Sequence, residues 1–138
     1  MIIVMGTPGA GKSTVIREFI KRHPSFKVLN FGTLMMDVAR RDYGVENRDD
    51  MRKLRREDYH DLQVKTFELI RSKAKAIESE GERVILDTHA SVHTVDGYYP
   101  GFPFELLSTL SVESFIYIRC SPATILRRRI RDRSRIYC

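Results

Sequence analysis

The sequence predicts an α/β fold built on a parallel sheet, and three observations carry that prediction. Five apolar residues, Met1-Ile2-Ile3-Val4-Met5, run straight into the glycine-rich stretch Gly6-Thr7-Pro8-Gly9-Ala10-Gly11-Lys12-Ser13-Thr14. Short apolar runs of strand character then alternate with amphipathic helical stretches, which implies parallel strands joined by right-handed crossovers. The chemically notable residues all fall just after a strand, at the edge where open α/β sheets bind ligands.

Residues 6–13 match G-x-x-x-x-G-K-[ST], the phosphate-cradling P-loop or Walker A motif. Average composition produces that pattern by chance on the order of once in 10⁴ positions. The context strengthens it, because a strand precedes the loop and a helix follows. Glycines let successive backbone N–H groups converge on one point. Lys12 adds a mobile positive charge, and Ser13 offers a hydroxyl to a magnesium ion. The helix beginning near Lys12 aims the positive end of its dipole at the same spot. The bland alternative is a glycine-rich turn with no ligand.

Residues 13–22 read as that helix, with Val15, Ile16, Phe19 and Ile20 forming one stripe and Pro24 ending it. Residues 27–31 make a second short strand. Gly32-Thr33 opens a helical stretch with Leu34, Met35, Val38 and Ala39 on one side. Its methionines suit either an adjustable base-binding surface or, more simply, a helix core. Residues 42–50 are polar and irregular, with Gly44 as a break. From 51 to 79 the pattern is helical and charged. Arg48, Arg52, Lys53, Arg55 and Arg56 crowd its beginning, while Leu62, Val64, Phe67, Leu69, Ile70, Ala74 and Ile77 supply a buried side. Gly81 caps its end.

Residues 83–87 form a third strand, whose consecutive Val84, Ile85 and Leu86 imply burial on both faces. Asp87 ends it at the ligand edge. A carboxylate there can hold magnesium directly or through water; the structural alternative is a cap or turn aspartate. Residues 88–103 read as a long loop rich in glycine, proline and tyrosine, either functional or disordered, with its aromatics arguing for order. A short helix over 104–110 and a fourth strand over 114–119 follow. Ser121-Pro122 then starts an arginine-rich helix, with serine as N-cap and proline at the first position.

Composition sets outer limits. A chain of 138 residues with 42% hydrophobic and 30% charged residues is an ordinary globular domain, so one domain over 1–138 is expected. No apolar run approaches the roughly 18 residues of a membrane span. A strand and P-loop are read from the first residue, so no signal peptide is expected. Cys120 and Cys138 have no metal or redox spacing, so a cytoplasmic location is the default expectation. The formal net charge of +6 is concentrated between residues 119 and 135, where one acid, Asp132, stands among arginines. Such a run suits a polyphosphate ligand, nucleic acid or a plain basic surface. The P-loop favours the first and makes nucleic acid unlikely.

The pattern separates two trades of P-loop proteins. No N-K-x-D guanine signature is present, and a helical insert with a basic start lies between the second and third strands. Small kinases hold an acceptor at such an insert. Phosphoryl transfer needs in-line positioning and charge neutralisation rather than covalent help. The absence of an obvious general base beside the loop favours an acceptor that is itself a phosphate, a nucleoside monophosphate. His89 and His93 are the exceptions, each equally readable as a structural hydrogen bonder.

At this point the sequence resembles the archaeal-type adenylate kinases. The resemblance rests on the P-loop, on Asn30-Phe31-Gly32-Thr33-Leu34-Met35, and on Arg48-Asp49-Asp50-Met51-Arg52-Lys53-Leu54. It continues through Asp87-Thr88-His89-Ala90 and Gly97-Tyr98-Tyr99-Pro100-Gly101-Phe102-Pro103 to the arginines at 128–135. It implies a P-loop NTPase three-layer fold with strand order 2-3-1-4-5, and a reversible, magnesium-dependent conversion of ATP and AMP into two ADP. By similarity, Gly6, Thr7, Pro8, Gly9, Ala10, Gly11, Lys12, Ser13 and Thr14 hold ATP, and Ser13 and Asp87 serve the metal. Gly32, Thr33, Arg48 and Arg52, within about 32–80, form the AMP side. The loop containing Gly101 packs near the AMP base, and His93 stands where a basic residue would reach AMP phosphate better. Arg128, Arg131 and Arg135 match a lid beginning at about 128–138 and join Lys12 as catalytic residues. A homotrimer is a further, weaker implication. Two departures accompany the resemblance. Ile136-Tyr137-Cys138 replaces the usual continuation of the lid, and the sequence ends before the expected fifth strand. The early stop makes a nucleotide-binding protein with little or no catalysis one competing expectation, and the basic face makes an RNA-associated ATPase the other.

Overall fold

Strand β1 (Ile2–Gly6) runs through the interior of a parallel four-stranded sheet. The computed structural model describes residues 1–94 and 96–131. The other sheet strands are β2 (Phe26–Asn30), β3 (Arg83–Asp87) and β6 (Ser114–Ile118). Their order is β2-β3-β1-β6, which is the expected 2-3-1-4 arrangement of the parallel strands. A separate antiparallel hairpin is made by β4 (Ser91–Thr94) and β5 (Gly97–Pro100). The helices are α1 (Lys12–Arg22), α2 (Phe31–Tyr43), α3 (Arg48–Met51), α4 (Arg56–Ser79), α5 (Phe104–Leu107) and α6 (Pro122–Arg131).

Each face of the sheet has its own core. Alternation along β1 and β3 sends Ile3, Val84 and Leu86 to one side, where they join Phe31, Met35, Met36 and Val38 of α2 and Leu62, Phe67 and Ile70 of α4. Phe67 lies edge-on to both Phe31 and Phe102, at 5.4 and 5.6 Å between ring centroids. Such aromatic pairs add about 0.5–1.5 kcal/mol each beyond their burial. The other face is smaller. Val4, Ile85 and Phe26 meet Ile16 of α1, with Phe19, Ile20 and Ile118 half-buried around them.

Val84, Ile85 and Leu86 are all buried, as an interior strand requires. Leu62, Phe67, Ile70 and Ala74 line the inner side of α4 as the periodicity predicts, together with Tyr59, Gln63 and Thr66. Val15 departs from its predicted stripe and stands exposed. Met35 and Met36 are both core residues, and Met36 also lines a cleft beside the start of α2.

Four stretches differ from the sequence prediction. Residues 88–103, read as loop, contain the hairpin. Residues 42–50, read as irregular, end in α3, capped by the Asn47 side chain on Asp49 N and Asp50 N. The long helix starts at Arg56 rather than 51. Phe31, read as the end of a strand, is the first residue of α2, because Asn30 caps that helix by accepting from Thr33 N at 2.9 Å. Among the described residues no helix is long and apolar enough to cross a membrane.

Candidate phosphate-binding and acceptor site

The carboxyl ends of β2, β3 and β1 lie side by side, with Asn30 opposite Asp87 and Asp87 opposite Val4. Everything that follows these strands is delivered to one edge. β1 opens into the P-loop, whose curl is made by Gly9 and Gly11 at φ 90° and 105°. An L side chain is strained in that region, so glycine is the residue that permits the curl. Gly11 caps α1, leaving the first N–H groups of the helix directed at the loop's concavity.

Lys12 is buried, and its Nζ donates to the Gly6 carbonyl at 3.1 Å. His89 Nδ1 lies 3.0 Å from the same carbonyl and 3.3 Å from Lys12 Nζ. A carbonyl oxygen only accepts and an ammonium only donates. We assign the proton to Nδ1, because an unprotonated Nδ1 would set its lone pair against the Gly6 carbonyl oxygen at 3.0 Å, the shorter of its two contacts; in that tautomer it donates to Gly6 O and only adjoins Lys12. His89 reaches this position from the segment after β3, where Thr88 N donates to Val4 O at 3.0 Å.

Asp87 is buried, and its Oδ2 accepts from Asn30 Nδ2 at 2.9 Å. Asn30 thus caps α2 with its oxygen and holds Asp87 with its nitrogen. The second carboxylate oxygen, Oδ1, is buried without a hydrogen-bond partner. A buried anionic oxygen left in that state is costly and suits a cation. Asp87 and Ser13 line one cleft of about 400 Å³, floored by Ile16, Ile20 and Val28. Among the described residues no group of three or more His, Cys, Asp or Glu side chains gathers for a metal. One carboxylate and one hydroxyl are nonetheless the donor set magnesium uses when phosphate and water complete its shell.

A second cleft, of about 320 Å³, opens beside the start of α2 and is lined by Thr33, Met36, Asp37, Arg40, Glu46, Asn47 and Arg48. The Arg48 guanidinium lies over Gly32, with Nη2 3.6 Å from where a Gly32 side chain would begin. Gly32, Thr33 and Arg48 therefore come together. Arg52 is turned to Asp49 in an exposed ion pair at 3.2 Å and does not line the cleft. His93 is on the hairpin, against the Tyr98 ring at 4.9 Å, and lines neither cleft.

Gly101 closes the base of the hairpin. Its N–H donates to Ala90 O at 2.8 Å, and a side chain there would begin 2.0 Å from His89 O. Gln63 Nε2 on α4 donates to the adjacent Pro100 O at 2.9 Å. Tyr59, stacked on Tyr99 at 5.7 Å, is buried enough that its hydroxyl is pushed up to about 12, against a smaller opposing pull from Arg52.

On the far side of the P-loop, α6 supplies two arginines. Arg128 Nη1 donates to Gly9 O at 3.0 Å, and Arg129 donates through Nε and Nη2 to Pro8 O at 3.2 and 3.1 Å. Arg131 is the last described residue of this helix, and Arg135 lies outside the described residues. Asn30, Arg40, Gln63 and Arg129 are the site residues that sequence reasoning does not single out. The asparagine between a strand and a helical pattern was the one readable signal, as a cap. The others depend on packing.

Comparison with known proteins agrees with this geometry. The profile of a family described as an AAA domain matches residues 5–137. The adenylate kinase of Pyrococcus abyssi is 40% identical over 136 residues, covering 98% of this chain and 67% of the relative. The adenylate kinase of Thermoplasma acidophilum is 41% identical over 133 residues, covering 96% of this chain and 68% of the relative. The chain thus spans about two thirds of the length of these relatives. A chain of the Pnkp1/Rnl/Hen1 RNA repair complex superposes with a TM-score of 0.56 at 18% identity, over 97% of this chain and 38% of that one, a likeness of fold. With its P-loop, its 2-3-1-4 parallel order and near-complete alignment at this identity, the chain belongs to the adenylate kinase family.

Proposed function

We propose that the chain catalyses reversible, magnesium-dependent phosphoryl transfer from ATP to AMP, giving two ADP. The observation that carries this reading is the pair of clefts at one sheet edge: the P-loop after β1, and the cleft after β2 in which Thr33, Arg40 and Arg48 stand beside Asp37 and Glu46. Strands β1 and β2 are separated only by β3, and neighbouring strands lie about 4.8 Å apart. The two openings are therefore roughly 10 Å apart at their roots, a spacing that suits two nucleotides meeting through their phosphates.

In this reading the P-loop N–H groups and the amino end of α1 receive the ATP phosphates. Lys12 and Arg128 neutralise charge that builds on the transferring group, where fixed donors cost no reorganisation. Ser13 and Asp87 hold magnesium, which supplies Lewis-acid charge to the phosphates when bound. Thr33, Arg40 and Arg48 hold the AMP phosphate in line. That phosphate is already anionic at neutral pH, so no general base is needed, and His89 is left to a supporting role.

A coupled assay of ADP formation with ATP against AMP, CMP, UMP and GMP tests the proposal. AMP is expected to support the fastest turnover. Lys12→Ala is expected to lower kcat/KM by about 10²–10³, the usual loss for one donor to the developing charge. Turnover independent of added AMP, or unaltered in Lys12→Ala, overturns the assignment.

A further inference from the structure

We infer that His89 is a positioning residue for Lys12: it takes over the Gly6 carbonyl when the lysine leaves it for a nucleotide phosphate. The inference rests on the reading that the P-loop receives such a phosphate. The relevant atoms form a small triangle. Lys12 Nζ, His89 Nδ1 and Gly6 O lie 3.0–3.3 Å from one another, at the root of the loop. Gly6 is buried there, walled on its other side by Ile118 O.

Two donors aimed at one carbonyl is more than the loop needs while Lys12 is in place. The second donor acquires a purpose when the first departs. To reach a phosphate in the concavity of the loop, Lys12 must lift its ammonium off Gly6 O. A buried carbonyl that loses a donor would otherwise oppose the movement, and the nucleotide's affinity would fall by that cost. With the His89 Nδ1–H already 3.0 Å away, the carbonyl stays satisfied throughout. The imidazole also stands 3.3 Å from the ammonium without being able to accept from it, which favours the lysine's exit.

The fold fixes His89 from three directions. Thr88 N is tied to Val4 O, Gly101 N to Ala90 O, and the His89 carbonyl fills the place of the missing Gly101 side chain. The ring is thus presented by the hairpin base, not by a free loop.

The test is ATP binding by calorimetry, together with steady-state kinetics, on the full chain and on His89→Ala, His89→Asn and His89→Gln. An asparagine amide can place its N–H near the position of Nδ1, whereas glutamine places it near Nε2. His89→Ala and His89→Gln are expected to weaken ATP binding and raise its KM about tenfold, leaving KM for AMP unchanged. His89→Asn is expected to restore affinity to within about threefold of wild type. In a Lys12→Ala background, His89→Ala is expected to cost nothing further, because no lysine then needs replacing. Melting curves verify that each variant is folded. His89→Asn as weak as His89→Ala, or a His89→Ala loss that persists undiminished without Lys12, overturns the role of His89. Wild-type protein that binds no ATP overturns the phosphate reading and this inference with it. Wild-type binding matched by His89→Ala overturns the inference alone.

Discussion

Gly101→Ala is the substitution whose consequence can be worked most directly from the structure. The new Cβ would sit 2.0 Å from His89 O, 3.1 Å from His89 C and 3.3 Å from Ala90 O. Carbon and oxygen do not settle much closer than about 3 Å, so the hairpin base must open by roughly 1 Å. The obstacle is backbone, which cannot rotate aside as a side chain would. Opening by that amount stretches the Gly101 N to Ala90 O bond from 2.8 Å to beyond hydrogen-bond range. Overpacking of this kind costs about 1–3 kcal/mol, and the lost bond adds about 1 kcal/mol. At about 2.1 cal/mol/K of unfolding entropy per residue, 3 kcal/mol lowers Tm by roughly 10 °C in a chain of this length. A thermal melt followed by circular dichroism reads the effect. Gly44→Ala sets the scale: its φ of 64° strains an alanine but nothing lies within 4 Å, so about 1 kcal/mol and roughly 3 °C are expected. The reasoning fails if Gly101→Ala melts within about 2 °C of wild type.

Three further outcomes are expected. Tyr59 is held protonated by burial with its hydroxyl pushed up to about 12, whereas the unfolded chain ionises near 10. The unfolded state then loses its proton first, so stability is intact below pH 10 and falls by about 3 kcal/mol as pH rises to 12. Urea titrations of Tyr59→Phe against wild type should differ by that slope, and parallel curves would refute it. Phe67→Ala, removing a ring 1% exposed between Phe31 and Phe102, should cost about 3–5 kcal/mol in the same titration. Asp87→Asn removes the charge on the unpartnered Oδ1, so the gain in ADP affinity on adding magnesium should collapse in calorimetry while metal-free ADP affinity changes little; an undiminished magnesium effect would move the metal elsewhere.

Much of this architecture was legible because its signals are local. The P-loop is written in contiguous residues, and the strands are marked by apolar runs whose neighbours interrupt the helical period. Val84, Ile85 and Leu86 announce a strand buried on both faces with no reference to what covers them. The hairpin was hidden for the opposite reason. Its alternation spans only Ser91–Thr94 and Gly97–Pro100, and the prolines and glycines around it read as loop. The hairpin is held by Gln63 and Gly101, whose roles exist only after α4 and β3 have packed. Arg52 is expected on the AMP side by resemblance, yet its geometry turns it to Asp49. Arg40, which no sequence signal marks, lines the cleft. Charge identity is visible in a sequence, whereas the direction in which a long side chain is used is decided by neighbours far along the chain.

The position of β1 has a consequence for the order in which the protein can become itself. Its residues 2–6 are made well before residues 85–87 of β3 and 114–118 of β6, with which they pair. The P-loop tip is further held by Arg128 and Arg129, 119 and 121 residues downstream of the carbonyls they bond. At typical synthesis rates of about 5–20 residues per second, the opening segment waits on the order of ten seconds for its partners. During that interval a strand of nearly uninterrupted apolar residues has no sheet to join. The P-loop cradle is therefore completed only after α6 has been made, although its own residues are in place long before.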